Sequence, residues 1–302
     1  MPATENSKQT RISDKQTMID PATAHTPGLL EGFSVEITGK DVPALIEAAP
    51  LLPRGTAVNI TYLANEDAAV RLRAAESVLS LGFHPVPHLS ARRIGSAAEL
   101  TETLAAYQQA GAVEEVFLIG GDPPSPEGPF PDALSLIETG VLEEHGVRSV
   151  GIAGYPEGHP KIADADLAEA MGLKLDAIAE RGMAASIITQ FGFDAEPVLG
   201  WIRGLRGRGI GAPVRVGVPG PAGIKRLLGY ARRFGVASSA GIAQKYGLSL
   251  TSLIGTAGPE KFLHALDDGL EPDIHGQVLL HFYTFGGVPA TARWIDDHSE
   301  EF

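Results

Sequence analysis

The chain is predicted to fold as an α/β protein, a closed (β/α)8 TIM barrel, and three observations carry that prediction. From Phe33 onward a short apolar run, a polar turn and an amphipathic stretch recur eight times. The runs are rich in Val, Ile and Phe and mostly continuous, as in strands of a parallel sheet buried on both faces. A length of 302 residues with 44% hydrophobic content is enough for one large core. Strands alternating with helices require right-handed crossovers and hence a parallel sheet. Eight such units close a barrel of ordinary size. An open doubly wound sheet is the alternative.

Residues 1–28 are polar and without periodicity, which predicts a flexible tail, with 29–302 as the barrel catalytic domain. The apolar runs are Phe33–Ile37, Ala57–Tyr62, His84–His88, Val116–Ile119, Ser149–Ala153, Ala185–Thr189, Val214–Val218 and Val278–Tyr283. Helical spacing with Ala, Leu and Glu enrichment marks Asp67 to Ser80, Ser96 to Ala110 and Asp166 to Glu180. The connection from Phe234 to Gly276 is longer and is expected to hold extra helices, part of which cover the barrel mouth.

Composition excludes several chemistries. A net charge of −13 argues against nucleic acid or anionic membrane partners, but not against a small anionic ligand. The absence of cysteine removes disulfides, thiolate nucleophiles and Cys-ligated metals, and fits a cytoplasmic protein. No apolar run reaches membrane-spanning length and no signal-peptide core precedes the barrel. His84 and His88 are separated by prolines and share no helical face, and no HExxH occurs, so no metal site is expected. Gly217-Val218-Pro219-Gly220-Pro221 is only a weak match to a phosphate-cradling loop.

The strand ends carry the functional signal. Val116–Ile119 runs into Gly120-Gly121-Asp122-Pro123-Pro124. Glycines admit a ligand to the backbone and prolines stiffen the exit, so Asp122 is presented at the carboxyl end of a core strand. A simple turn with Asp122 capping the next helix is the bland alternative. Glu36, Asn59, Thr61, Tyr62, His88, Tyr155, His159, Thr189, Gln190, His281 and Tyr283 fall at or just beyond other strand ends. Polar and aromatic groups gathered at one rim suit a planar polar ring system. Glu36 lies within an apolar strand, where burial is expected to raise its pKa and make it a proton donor. Asp122 is expected to stay ionised. Glu36 could instead be a structural carboxylate bonded to an arginine or a backbone amide.

These segments resemble the methylenetetrahydrofolate reductase family, flavoprotein barrels of one-carbon metabolism. The matching stretches, in order, are Val35-Glu36, Asn59 to Asn65, Pro87-His88-Leu89, Gly121 to Pro124, Gly154 to Pro160, Ile188 to Asp194 and His281 to Thr284. The resemblance implies FAD across the carboxyl rim, contacted by Thr61, Tyr62, Ala64, His88, Gly120, Gly121, Asp122, Tyr155 and His159, with Asp166 and Lys174 as further contacts. It implies Gln190, Tyr230, Arg226 and Tyr283 on the folate. Glu36 would protonate folate N10, and Asp122 would touch flavin and pterin alike. NADH or NADPH would serve as electron donor, and the product would feed methionine biosynthesis. The chain departs from the family where an arginine gives way to Gly120, a flavin-phosphate lysine to Ile178, and an Asn-Arg pair to Gly286-Gly287. Those departures leave donor and direction open, and a homo-oligomer is compatible with all of this. The alternatives are a flavin-free tetrahydrofolate-dependent methyltransferase or demethylase, and a non-catalytic folate- or flavin-binding protein.

Overall fold

The structure is a computed structural model that describes residues 28–63, 66–234 and 256–302. Apart from Gly28, the expected N-terminal tail lies outside the described residues, as does much of the long connection before Gly276.

Eight parallel strands close a barrel: β1 (Ser34–Ile37), β2 (Ala57–Ile60), β3 (His84–Ser90), β4 (Glu115–Ile119), β5 (Ser149–Gly154), β6 (Ala184–Phe191), β7 (Val214–Pro219) and β10 (Val278–Tyr283). A short antiparallel ribbon, β8 (Ala222–Gly223) with β9 (Thr256–Ala257), sits between β7 and β10 in the chain. Closure comes from β10 pairing with β1, Ser34 opposite His281 and Glu36 opposite Tyr283. The closed barrel excludes the open-sheet alternative.

Alternation along the strands creates two cores. Val35, Ile37, Val58, Ile60, Leu118 and Ile152 join the layer beneath the helices, each at most 1% exposed. Burying such a side chain contributes roughly 1.5–3 kcal/mol. A smaller cluster of Val86, Phe117 and Ile188 forms inside the barrel. The floor of the barrel is ionic: His84 Nε2 lies 3.2 Å from Glu115 Oε2, and Arg215 donates to the Gly32 carbonyl at 2.7 Å.

The helices are α1 (Val42–Ala48), α2 (Ala68–Ser80), α3 (Ala97–Ala110), α4 (Ala133–Ile137), α5 (Val141–Glu144), α6 (Asp164–Glu180), α7 (Ala195–Gly207) and α8 (Ile224–Phe234). Glu260–Gly269, Pro272–His275 and Val288–Asp297 follow. The expected starts hold because side chains cap them: Asp67 accepts from the Ala69 amide and Ser96 from the Glu99 amide. α6 begins at Asp164, two residues before the expected Asp166. Two of the helices expected in the long connection are Glu260–Gly269 and Pro272–His275.

Candidate active site

Period-two alternation places Ser34 and Glu36 on the inner face of β1, and His281 and Tyr283 on the inner face of β10. His281 is fixed first. It is 1% exposed, and its Nδ1 lies 2.9 Å from Ser34 Oγ. Its Nε2 lies 3.7 Å from Glu36 Oε2. The Thr284 hydroxyl donates to the Glu36 carbonyl at 2.7 Å, anchoring the end of β1 to the segment after β10.

The expected upward shift of the Glu36 pKa is corrected here. Burial does push the carboxyl up, but the facing His281 ring, the nearby His88 ring and the Thr61 hydroxyl together outweigh it. Glu36 is held below the ordinary carboxylate value and rests ionised in this ligand-free site. Its side chain keeps 22% exposure, toward the barrel mouth.

His88 lies across from Glu36, 5% exposed on the Phe117 ring, with centroids 4.7 Å apart. Its Nε2 is 3.2 Å from Asn59 Oδ1 and its Nδ1 3.4 Å from Thr61 Oγ1. An amide oxygen only accepts, so that amide orientation makes Nε2 the protonated nitrogen and leaves Nδ1 unprotonated, facing the Thr61 oxygen. Burial pushes the His88 pKa down to about 4, so the ring is neutral near pH 7.

At the end of β4, an added Cβ on Gly120 would meet open space, whereas one on Gly121 would collide with Ser90 Oγ. Gly121 also has φ +97°, so close packing and backbone conformation both require glycine there. Asp122 is exposed on this loop. It does not cap the next helix, because Asp132 does so by accepting from the Ser135 amide. Tyr155 and His159 follow β5 with their rings edge to face at 5.2 Å. Burial pushes the Tyr155 hydroxyl up and the His159 ring down. The guanidinium of Arg71 covers one face of Tyr62 at 4.0 Å.

On the far wall, the Tyr283 hydroxyl donates to the Thr189 carbonyl at 3.0 Å, and burial holds its pKa well above the ordinary value. Gln190 Oε1 accepts from the Phe191 amide. Tyr230 stacks on Phe285 at 4.1 Å, and Arg226 donates to the Phe285 carbonyl at 2.9 Å.

Glu36, Thr61 and His88 are therefore brought together, with Tyr283 beside them. Gly120–Asp122 and Tyr155–His159 line the same rim. Lys174 stands apart, half-buried in α6, where burial lowers its pKa and Asp132 opposes that. Asp166 is exposed in the first turn of α6, and Ile178 is 0% exposed in the core. Ala64 lies outside the described residues. Sequence reasoning omits Ser34, Phe117, Phe285 and the positioning part of His281. Two-residue spacing from Glu36 and Tyr283 marks Ser34 and His281; nothing local marks Phe117 or Phe285.

The arrangement offers one carboxylate between two imidazoles, a neutral histidine, an open glycine pair and aromatic walls, which suits a planar heterocycle with an ionisable nitrogen. Among the described residues no group of three or more His, Cys, Asp or Glu could hold a metal ion. No described helix is long and apolar enough to cross a membrane.

Residues 32–237 match the family model described as Methylenetetrahydrofolate reductase. The chain is 34% identical over 146 residues to 5,10-methylenetetrahydrofolate reductase of Pectobacterium carotovorum subsp. carotovorum, covering 47% of this chain and 46% of that protein. It is 29% identical over 116 residues to Methylenetetrahydrofolate reductase 2 of Saccharomyces cerevisiae, covering 35% of this chain and 18% of that one. The aligned stretches thus span less than half the length of either relative. Similar solved structures include dihydropteroate synthase from Thermus thermophilus, at a TM-score of 0.46 and 17% identity, covering 89% of this chain and 93% of that one. The Burkholderia cenocepacia dihydropteroate synthase is similar at a TM-score of 0.45 and 14% identity, covering 89% and 91%.

Proposed function

The chain belongs to the methylenetetrahydrofolate reductase family, and from that premise we propose that it interconverts 5,10-methylenetetrahydrofolate and 5-methyltetrahydrofolate by hydride transfer at the carboxyl rim of its barrel. The observation that carries this reading is Glu36, a partly exposed carboxylate facing the barrel mouth and flanked by His281 and Thr61.

Opening the five-membered ring of the substrate needs a proton on N10, which frees N5 to form an iminium; hydride then adds to the bridging carbon. Glu36 is the group placed to deliver that proton. Its resting state is the carboxylate, so it must first gain a proton. A folate covering its exposed side removes the remaining water, which favours the protonated acid. His281 and Thr61 hold the carboxyl in place while N10 approaches. Neutral His88, locked by Asn59 and Thr61, adds a polar wall without a competing charge. In the opposite direction Glu36 takes the proton back from N10. Asp122, exposed on the β4 loop, orients the pterin through its ring N–H groups.

FAD is the proposed hydride carrier: a side chain at Gly120 would meet open space, and Thr61, Tyr62, His88, Gly121, Asp122, Tyr155 and His159 are the residues proposed to hold the isoalloxazine. When bound, it supplies hydride accepted from NADH or NADPH. The diphosphate arm is less well met. Along the β4–β5 rim Asp122, Glu157, Asp164, Asp166 and Glu169 are exposed, against Lys161, Arg92 on the Pro123 carbonyl and Arg93, which is paired with Glu127. The excess of carboxylates there weakens the hold on a dianionic arm.

The test is anaerobic incubation of the protein with FAD, 5,10-methylenetetrahydrofolate and either NADH or NADPH, followed by chromatography of the folates. The expected product is 5-methyltetrahydrofolate; unchanged folate with both donors would overturn the proposal.

A further inference from the structure

The loop that carries Asp122 does not hold itself. Five of the eleven residues from Gly121 to Pro131 are proline, so the stretch is short of N–H donors. Among the described residues no backbone hydrogen bond joins two members of it. Its shape comes from one residue at the neighbouring strand end, Arg92. That residue belongs to the short helical turn Ala91–Arg93, which follows β3 directly. Ala91 is 0% exposed and Ile94 6%, so the turn is pinned to the core on both sides of Arg92 and Arg93.

Arg92 meets the loop four times. Its amide donates to the Gly120 carbonyl at 2.9 Å, and its carbonyl accepts from the Glu127 amide at 2.8 Å. Its guanidinium spans two proline carbonyls: Nε donates to Pro131 at 2.7 Å and a terminal nitrogen to Pro123 at 3.2 Å. The bonds at Gly120 and Pro123 bracket Asp122 closely, with only Gly121 and Asp122 between them. Ser90 Oγ closes the space beside Gly121. Further along, a Cβ on Gly128 would collide with the Ile94 carbonyl, so the loop lies close against the same segment. A planar guanidinium binds two separate carbonyls through a fixed fork, which a lysine ammonium does not offer.

We propose that Arg92 is a positioning residue for Asp122: its fork fixes the β4 loop so that the exposed carboxylate is already in place when the pterin arrives. This rests on the folate reading of Asp122 above. A group held by its neighbours loses less freedom on binding, and a misplacement of about 1 Å can cost about 10²-fold in rate. Because Arg92 follows β3, the strand of His88, it also makes His88 and Asp122 parts of one docked unit.

The experiment is anaerobic turnover of 5,10-methylenetetrahydrofolate with NADH or NADPH, over a range of FAD up to saturation. It compares wild type, Arg92→Met, Arg92→Lys, Asp122→Asn and the two double variants. At saturating FAD, Arg92→Met should lower kcat/KM for the folate by on the order of tenfold. Arg92→Lys, which keeps the charge but not the fork, should lose nearly as much. In the Asp122→Asn background either change should cost less than about twofold, because the group being positioned is gone. Equal losses in both backgrounds would mean that Arg92 serves the fold alone, and would overturn the proposal. Full activity in Arg92→Lys would also overturn it, by making the charge the active feature. So would losses that vanish as FAD is raised, which would place Arg92 on the cofactor. If Arg92→Met does not fold, the comparison is read from Arg92→Lys. If Asp122→Asn works at the wild-type rate, or the wild type turns over no folate, the folate reading itself fails, and this inference with it.

Discussion

Glu36 and His281, on two strands that pair only because the barrel closes, face each other with carboxylate and imidazole 3.7 Å apart. Ser34 holds the far side of the imidazole at 2.9 Å. The chain thus places its acid against a fixed ring rather than in an apolar pocket. Glu36→Gln keeps the shape and removes the proton. Folate turnover should fall by about 10²–10⁴-fold, the usual weight of a general acid. Stopped-flow reduction of added FAD by NADH or NADPH should stay near the wild-type rate. Parallel loss of both half-reactions would show that Glu36 does not act on N10.

His88 predicts an acid limb in stability. Its folded pKa of about 4 lies below the ordinary 6.5, so the folded state binds fewer protons than the unfolded one between those values. The stability present above pH 6.5 is lost as pH falls toward 4, by on the order of 3 kcal/mol. The depressed Glu36 carboxyl adds loss at lower pH still, below the ordinary carboxylate value. Urea melts across this range should show the decline, and His88→Gln should flatten its upper part. An unchanged profile would mean that His88 titrates normally.

The floor pair works in the reverse sense. Glu115 raises the His84 pKa through their hydrogen bond. That contribution is complete below pH 6.5 and is lost as pH rises through the folded value. Proton NMR should find the His84 ring titrating above 6.5, and Glu115→Gln should bring it back down. A His84 that titrates alike in both proteins would contradict the pairing.

Gly121→Ala tests the β4 loop. Its positive φ and the Ser90 hydroxyl both oppose a methyl group, so stability should drop by about 1–3 kcal/mol. Gly120→Ala has room and should cost far less stability. A larger loss at Gly120 than at Gly121 would reverse the packing described here.

The acidic β4–β5 rim makes a prediction about flavin. Screening shortens repulsion between like charges, so FAD should bind more tightly as ionic strength rises from about 0.01 to 0.15 M. Fluorescence quenching titrations measure this directly. Affinity that falls with salt would place the diphosphate on cations instead.

The barrel is legible in the sequence because every strand announces itself as a short apolar run bounded by turn residues. Val116–Ile119 and Val278–Tyr283 are examples whose observed bounds differ by at most one residue. Glu36 is legible as a site residue but not in its charge state. That state depends on His281, which lies 245 positions away in the chain and meets Glu36 only through β1–β10 pairing. Phe285 is silent for the same reason, since its stacking on Tyr230 joins two segments that local pattern does not connect. Lys174 reads as a cation for the cofactor from the sequence, whereas the influence of Asp132 on its charge depends on packing that local pattern does not show.

The most direct measurement is an experimental structure of the protein with 5-methyltetrahydrofolate bound. The account predicts N10 within hydrogen-bond reach of the Glu36 carboxyl, about 2.6–3.2 Å, with the pterin beside Asp122 and the aminobenzoyl ring leading toward Phe285. A folate seated away from the β1 end of the rim, or bound with N10 turned from Glu36, would contradict it.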